Sequence, residues 1–172
     1  MRFGDFLKAT VLLSAAAATL LAAVTVIGLA QEFDTTLVWV CAGWWAGAAV
    51  IGMTVGQRTE ASPAIARLLA TARSQTTLPE LRPASTLLNR LWPLLLSTIG
   101  AAVLAFWRPQ VAAIAAGFAI IWALNWRRQE SAVAAIEERD GVRFYVDHTS
   151  PLHPIQLVRT PGFGGDFLRL TN

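Results

Sequence analysis

Two histidines, His148 and His153, fall in one stretch, EERDGVRFYVDHTSPLHPIQLVRTPGF, at residues 137–163. Imidazoles beside Asp147 have the chemistry of metal ligands. The same segment holds Ser150, so Asp147, Ser150 and His153 carry the side-chain types of a nucleophile triad. Neither reading survives its geometry. The spacing H-x4-H lacks the third firm ligand that a catalytic zinc site needs and the fourth of a structural one. A triad built within one turn would need three near neighbours to converge, whereas triad members come from separate elements. Gly162, Gly164 and Gly165 lack the G-K-[ST] run and following helix of a phosphate loop. Cys41 is the single cysteine, which excludes an internal disulfide and any multi-cysteine metal site. It lies in an apolar run and reads as a small core residue. The expectation is no catalytic residue, no metal and no cofactor, with both histidines solvated in a loop.

The elements around these residues are more informative. Val142, Phe144 and Val146 alternate with Arg143, Tyr145 and Asp147, the pattern of a half-buried strand. IQLVRT, at 155–160, is a second strand candidate, with HTSPLHP as the turn between them. Upstream, RRQESAVAAIEER reads as a helix that Asp140-Gly141 stops. The end, TPGFGGDFLRLTN, is loop-like in composition. A hairpin of this size is marginal alone, and units below about 40 residues usually need a staple or a partner. The tail must therefore lie on the chain's own helix at residues 62–73, on the membrane surface, on a ligand or on another protein. Docking is the leading reading. The expected contact residues are Arg143, Phe144, Tyr145, Leu157, Val158 and Arg159, since Tyr and Arg are frequent binding hot spots.

The rest of the chain is a membrane composition. It is 55% hydrophobic and 15% charged, against about 25% charged for soluble domains. A crossing helix needs roughly 20 apolar residues. Residues 9–30 and 36–56 meet that length, and 91–107 and 111–126 fall a little short. The expected fold is an all-α integral membrane protein of four transmembrane helices, arranged as two antiparallel hairpins with a small β-like tail. Its parts are a first hairpin at 1–56, a loop at 57–90, a second hairpin at 91–126, and a helical extension and tail at 127–172. A re-entrant second pair is the alternative that the short spans leave open.

Charge sets the expected orientation. Of the 14 basic residues, 13 are Arg and one is Lys8. With four crossings, all but Arg108 share one side, and the positive-inside rule puts that side and both termini in the cytoplasm. Heavy Ala and Arg usage suggests a bacterial plasma membrane. Trp39 and Trp107 then fall at the outer interface, and Trp92 and Trp126 at the inner one. A cleaved signal peptide ending near Ala30 is a competitor, weakened by the length of the apolar stretch and by Asp5. The net charge of +3 is too modest to suggest nucleic acid.

In the loop, SPAIARLLATAR places Ser62 at an N-cap and Pro63 at the first helical position. Ile65, Leu68, Leu69 and Ala72 recur at helical spacing, so residues 62–73 read as an interfacial helix. Arg67 and Arg73 are the expected contacts to anionic lipid. TTLPELRPAS, at 76–85, reads as a linker. Small residues recur at helix-packing spacing: Gly43 and Gly47, Gly52 and Gly56, Ala113 and Gly117. Trp44 and Trp45 point about 100° apart on one helix, so at least one is expected to face lipid or a partner. No ionisable residue lies inside the four spans, which argues against proton coupling and intramembrane catalysis. Ser14, Thr19, Thr25, Thr54, Ser97 and Thr98 can bond back to their own helices. A non-enzymatic membrane scaffold or accessory subunit is therefore the leading function, with a protein partner or a homo-oligomer in the lipid bilayer. A transport component is second, and an enzyme at the inner interface using His148 or His153 is third.

Overall fold

The computed structural model describes residues 1–32, 35–57, 62–74, 83–147 and 155–161. His148, Ser150, His153 and the three glycines of GFGG lie outside them. The elements run α1 (Phe3–Glu32), α2 (Thr35–Val55), α3 (Pro63–Ala70), β1 (Arg73–Ser74), α4 (Pro83–Leu104), α5 (Pro109–Trp126), α6 (Gln129–Asp140), β2 (Val142–Val146) and β3 (Leu157–Pro161). Four stretches are long and apolar enough to cross a membrane: Phe3–Gln31, Thr35–Val55, Ala84–Leu104 and Pro109–Asp140. The chain therefore has the make-up of a multi-pass membrane protein.

These helices differ from the expectation at their ends: α1 starts at Phe3 rather than at 9, and α4 and α5 differ as well. The run at 76–85 was expected to be a linker, but Pro83 opens α4, and the earlier part of that run lies outside the described residues. Proline suits a first helical turn, where its missing N–H has no partner to lose. The early start gives α4 22 residues, about 33 Å at 1.5 Å each. Arg127 and Arg128 form a turn between α5 and α6, so the helical extension is present with a break at its root.

The chain divides into two compact units. The helical unit comprises Lys8–Gln57 and Leu91–Arg128. Its core is rich in alanine: Leu21, Ala101, Ala105, Ala112 and Ala116 form one buried cluster, and Leu29, Cys41 and Ala113 another, with Trp45 against both. Cys41 is thus the core residue its surroundings suggested. Small side chains let backbones approach where lipid removes the hydrophobic drive.

The mixed unit comprises Met1–Leu7, Arg58–Arg90 and Gln129–Asn172. Its sheet has the order β1-β3-β2, with β1 and β3 parallel and β2 and β3 antiparallel. The chain start extends it. The Val146 N–H donates to the Met1 carbonyl (3.0 Å), and Arg2 bridges Tyr145 antiparallel. Burial holds the Met1 amine below its ordinary value, against an upward pull from Asp5. Ser62 caps α3 as expected: the Ile65 N–H donates to its Oγ (3.4 Å), and the Ser62 N–H donates to Gln129 Oε1 (3.0 Å). The helix is shorter than 62–73. Thr71 ends it by donating its N–H (3.0 Å) and its hydroxyl (2.9 Å) to the Arg67 carbonyl, and Arg73 then joins the sheet. Gly141, at φ +61°, ends α6, a left-handed conformation that glycine adopts at little cost.

Candidate functional site

The tail strands form where their alternation placed them, and their pairing explains their burial. Tyr145 lies opposite Val158, which lies opposite Arg73; Phe144 lies opposite Arg159, which lies opposite Ser74. Directly opposed residues share a face. Arg2, Tyr145, Val158 and Arg73 therefore make one row across the sheet, with buried residues at its centre and an exposed arginine at each end. The expected half-buried strand is buried on both faces: Phe144 and Val146 on one, Tyr145 on the other. In the sheet it lies between β3 and the chain start.

The six expected contact residues divide accordingly. Phe144, Tyr145, Leu157 and Val158 are buried within the chain, while Arg159 is exposed and Arg143 half-buried. The support that a small hairpin needs is met internally. Phe3, Phe6 and Leu7 from the chain start, Ile65 from α3 and Val133 from α6 are all buried in the same unit. The Phe144 N–H donates to Glu137 Oε1 on α6 (2.8 Å), which ties strand to helix. Arg67 and Arg73 are exposed. Arg139 is exposed as well and donates to Asp140 Oδ1 (2.8 Å). Asp5, Glu138 and Asp140 are exposed too, so the unit's outward charges are of both signs.

In the helical unit the hydroxyls behave as the sequence allowed. Ser14, Thr19, Thr25 and Thr98 donate to carbonyls four residues back, and Thr54 and Ser97 to carbonyls three back. A cavity of about 300 Å³, bordered by Leu94, Phe118 and Trp122, contains Ser97 and Thr98. Their protons are already committed to the Leu94 carbonyl. That leaves an apolar crevice with no chain of polar groups through it. Among the described residues no three His, Cys, Asp or Glu side chains gather as a metal site.

The small residues split into two faces. A Cβ on Gly52 would lie 2.8 Å from Leu124 Cβ, and one on Gly56 would meet the Leu124 carbonyl, so this pair lies against α5. Gly117 receives the Trp44 indole, and Ala113 is buried beside Trp45. Around Gly43 and Gly47 nothing lies within 4 Å of such a Cβ. Both tryptophans turn toward α5. Trp45 Nε1–H donates to the Ala113 carbonyl (2.9 Å) and Trp44 Nε1–H to the Ile114 carbonyl (3.3 Å), with Phe118 edge-on to Trp44. Ala113 and Gly117 leave the space that both indoles use, and each tryptophan remains partly exposed.

The chain start is the contributor that sequence reading missed. Met1–Leu7 falls in the expected first hairpin at 1–56, and its pair Phe3 and Phe6 is the one available signal of a buried segment. No protein-family model matches the chain, and no curated protein or solved structure matches it.

Proposed function

We propose that this chain is a non-enzymatic membrane scaffold or accessory subunit of the plasma membrane. It crosses four times as two antiparallel hairpins and keeps both termini in the cytoplasm. Its mixed unit docks on a partner protein or on a second copy. One observation carries the reading: three segments separated in sequence by the apolar spans fold together as a single unit. A folded unit cannot be divided by a bilayer, so its three segments share a side. That side holds every basic residue except Arg108, as cytoplasmic segments do. The unit buries Phe144, Tyr145, Leu157 and Val158 and exposes Arg67, Arg73 and Arg159, side chains suited to pairing with carboxylates or phosphates of a partner.

The docking residues under this proposal are Arg67, Arg73, Arg143 and Arg159, with Arg67 and Arg73 also meeting anionic lipid heads. Truncation of the tail is a poor test, because β2 and β3 supply buried residues to the unit. Charge reversal is better. The wild type, extracted gently from its own membranes, should fly in native mass spectrometry with a stoichiometric partner or as a homo-oligomer. The Arg67→Glu/Arg159→Glu variant should lose that companion while remaining membrane-bound. A bare monomer for the wild type would remove the docking reading.

A further inference from the structure

A second cavity, of about 410 Å³, lies in the helical unit between α1 and the turn that joins α4 to α5. Val24, Ile27, Gly28 and Gln31 line one wall, and Phe106 and Trp107 rim the other. The four α1 residues recur at helical spacing and form one stripe, about 10 Å long. Gly28 closes the floor, since a Cβ there would lie 2.9 Å from Pro109 Cβ. The stripe is graded. Its inner end is hydrocarbon, at Val24, and its outer end is the Gln31 amide in the last turn of α1. Phe106 and Trp107 are 88% and 71% exposed, the kind of aromatic placement found where hydrocarbon meets head groups. Arg108 follows them and is exposed.

We infer that this groove holds one acyl chain of a membrane phospholipid, with its head group against Gln31 and Arg108. Volume and shape select this occupant. A peptide helix is about 10–12 Å across and over this length would need roughly twice the space, whereas about 300–1,000 Å³ is usual for small-molecule sites. Polarity selects it too. An amphiphile places methylenes at Val24 and ester and phosphate oxygens at the end where Gln31 offers both donor and acceptor. Arg108, exposed and next in the chain to the rim residue Trp107, is a cation within the same turn. The inference rests on the membrane reading above. It adds a bound lipid in the leaflet opposite the termini.

The test uses the full chain in nanodiscs of phosphatidylethanolamine and phosphatidylglycerol, released into the gas phase at energies that strip annular lipid. Wild type should retain one phospholipid per chain. Ile27→Trp should fill the groove and abolish retention. Gln31→Leu should lower it by up to about tenfold, the worth of one hydrogen bond to the head group. Ile99→Trp changes an exposed α4 residue outside the lining and should retain the lipid. A bare wild-type chain, or equal retention in all four proteins, overturns the inference. If the wild type enters the nanodisc yet flies bare, the groove alone is wrong. If it never enters the nanodisc, the membrane reading falls with it.

Discussion

At the residue scale, glycines of α2 and α5 that share the small-residue spacing have different surroundings. Gly52 lies against Leu124 and Gly117 against the Trp44 indole, whereas Gly43 has open space. Adding a methyl where it must displace Leu124 or an indole is overpacking, which costs about 1–3 kcal/mol. Adding it at Gly43 meets nothing and gains up to about 1 kcal/mol of helix propensity. Gly52→Ala and Gly117→Ala should therefore unfold at lower denaturant in mixed micelles, and Gly43→Ala at the same concentration or higher. Equal losses at Gly43 and Gly52 would mean that α2 turns a different face to α5. A loss of oligomer in Gly43→Leu without a loss of monomer stability would make Gly43 and Gly47 a contact to another subunit.

At the scale of elements, the mixed unit depends on the first residues of the chain. Phe3 is buried, and the Val146 amide is bonded to Met1. Phe3→Ala removes a buried aromatic, a change that costs about 3–5 kcal/mol. Hydrogen exchange should then speed up at Val146 and Ile65 together, while α2 and α5 keep their protection. Unchanged protection at Val146 would show that the chain start is not part of this sheet. The elements legible in the sequence are those with a local cause: Ser62 and Pro63 start α3, Gly141 ends α6, and alternation marks β2. Others have a non-local cause. Arg73–Ser74 is a strand only because β3 runs beside it, and two residues carry no period. Met1 and Arg2 pair with a strand more than 140 residues away in the chain. Phe144, Tyr145, Leu157 and Val158 are buried in a unit assembled from segments far apart in the chain, so a reading from local pattern left them free for a partner.

At the scale of the whole molecule, the proposed topology follows from counting crossings. Residues of the mixed unit come from the start of the first apolar stretch, from the loop between the second and third together with the start of the third, and from the end of the fourth onward. Sharing a side requires an even number of crossings between each pair of segments. Two full hairpins satisfy this, and so does a first hairpin followed by a re-entrant second pair. Arg108, in the turn between α4 and α5, separates them. The part of α4 within the helical unit, Leu91–Leu104, reaches about 21 Å, against a hydrocarbon core of about 30 Å, so full crossing needs Arg90 and Arg108 to snorkel or the bilayer to thin. Single cysteines at positions 67, 108 and 159 can be introduced after replacing Cys41 with Ala, a small change at a site already packed among small residues. A membrane-impermeant maleimide added to intact cells should label Arg108→Cys alone, and Arg67→Cys and Arg159→Cys only after permeabilisation. Labelling of Arg67→Cys on intact cells would invert the orientation. If Arg108→Cys resists the reagent on both sides while the other two label from the cytoplasm, the second pair re-enters. The outer-leaflet groove would then have no leaflet to draw its lipid from, so this one residue also bears on the lipid site.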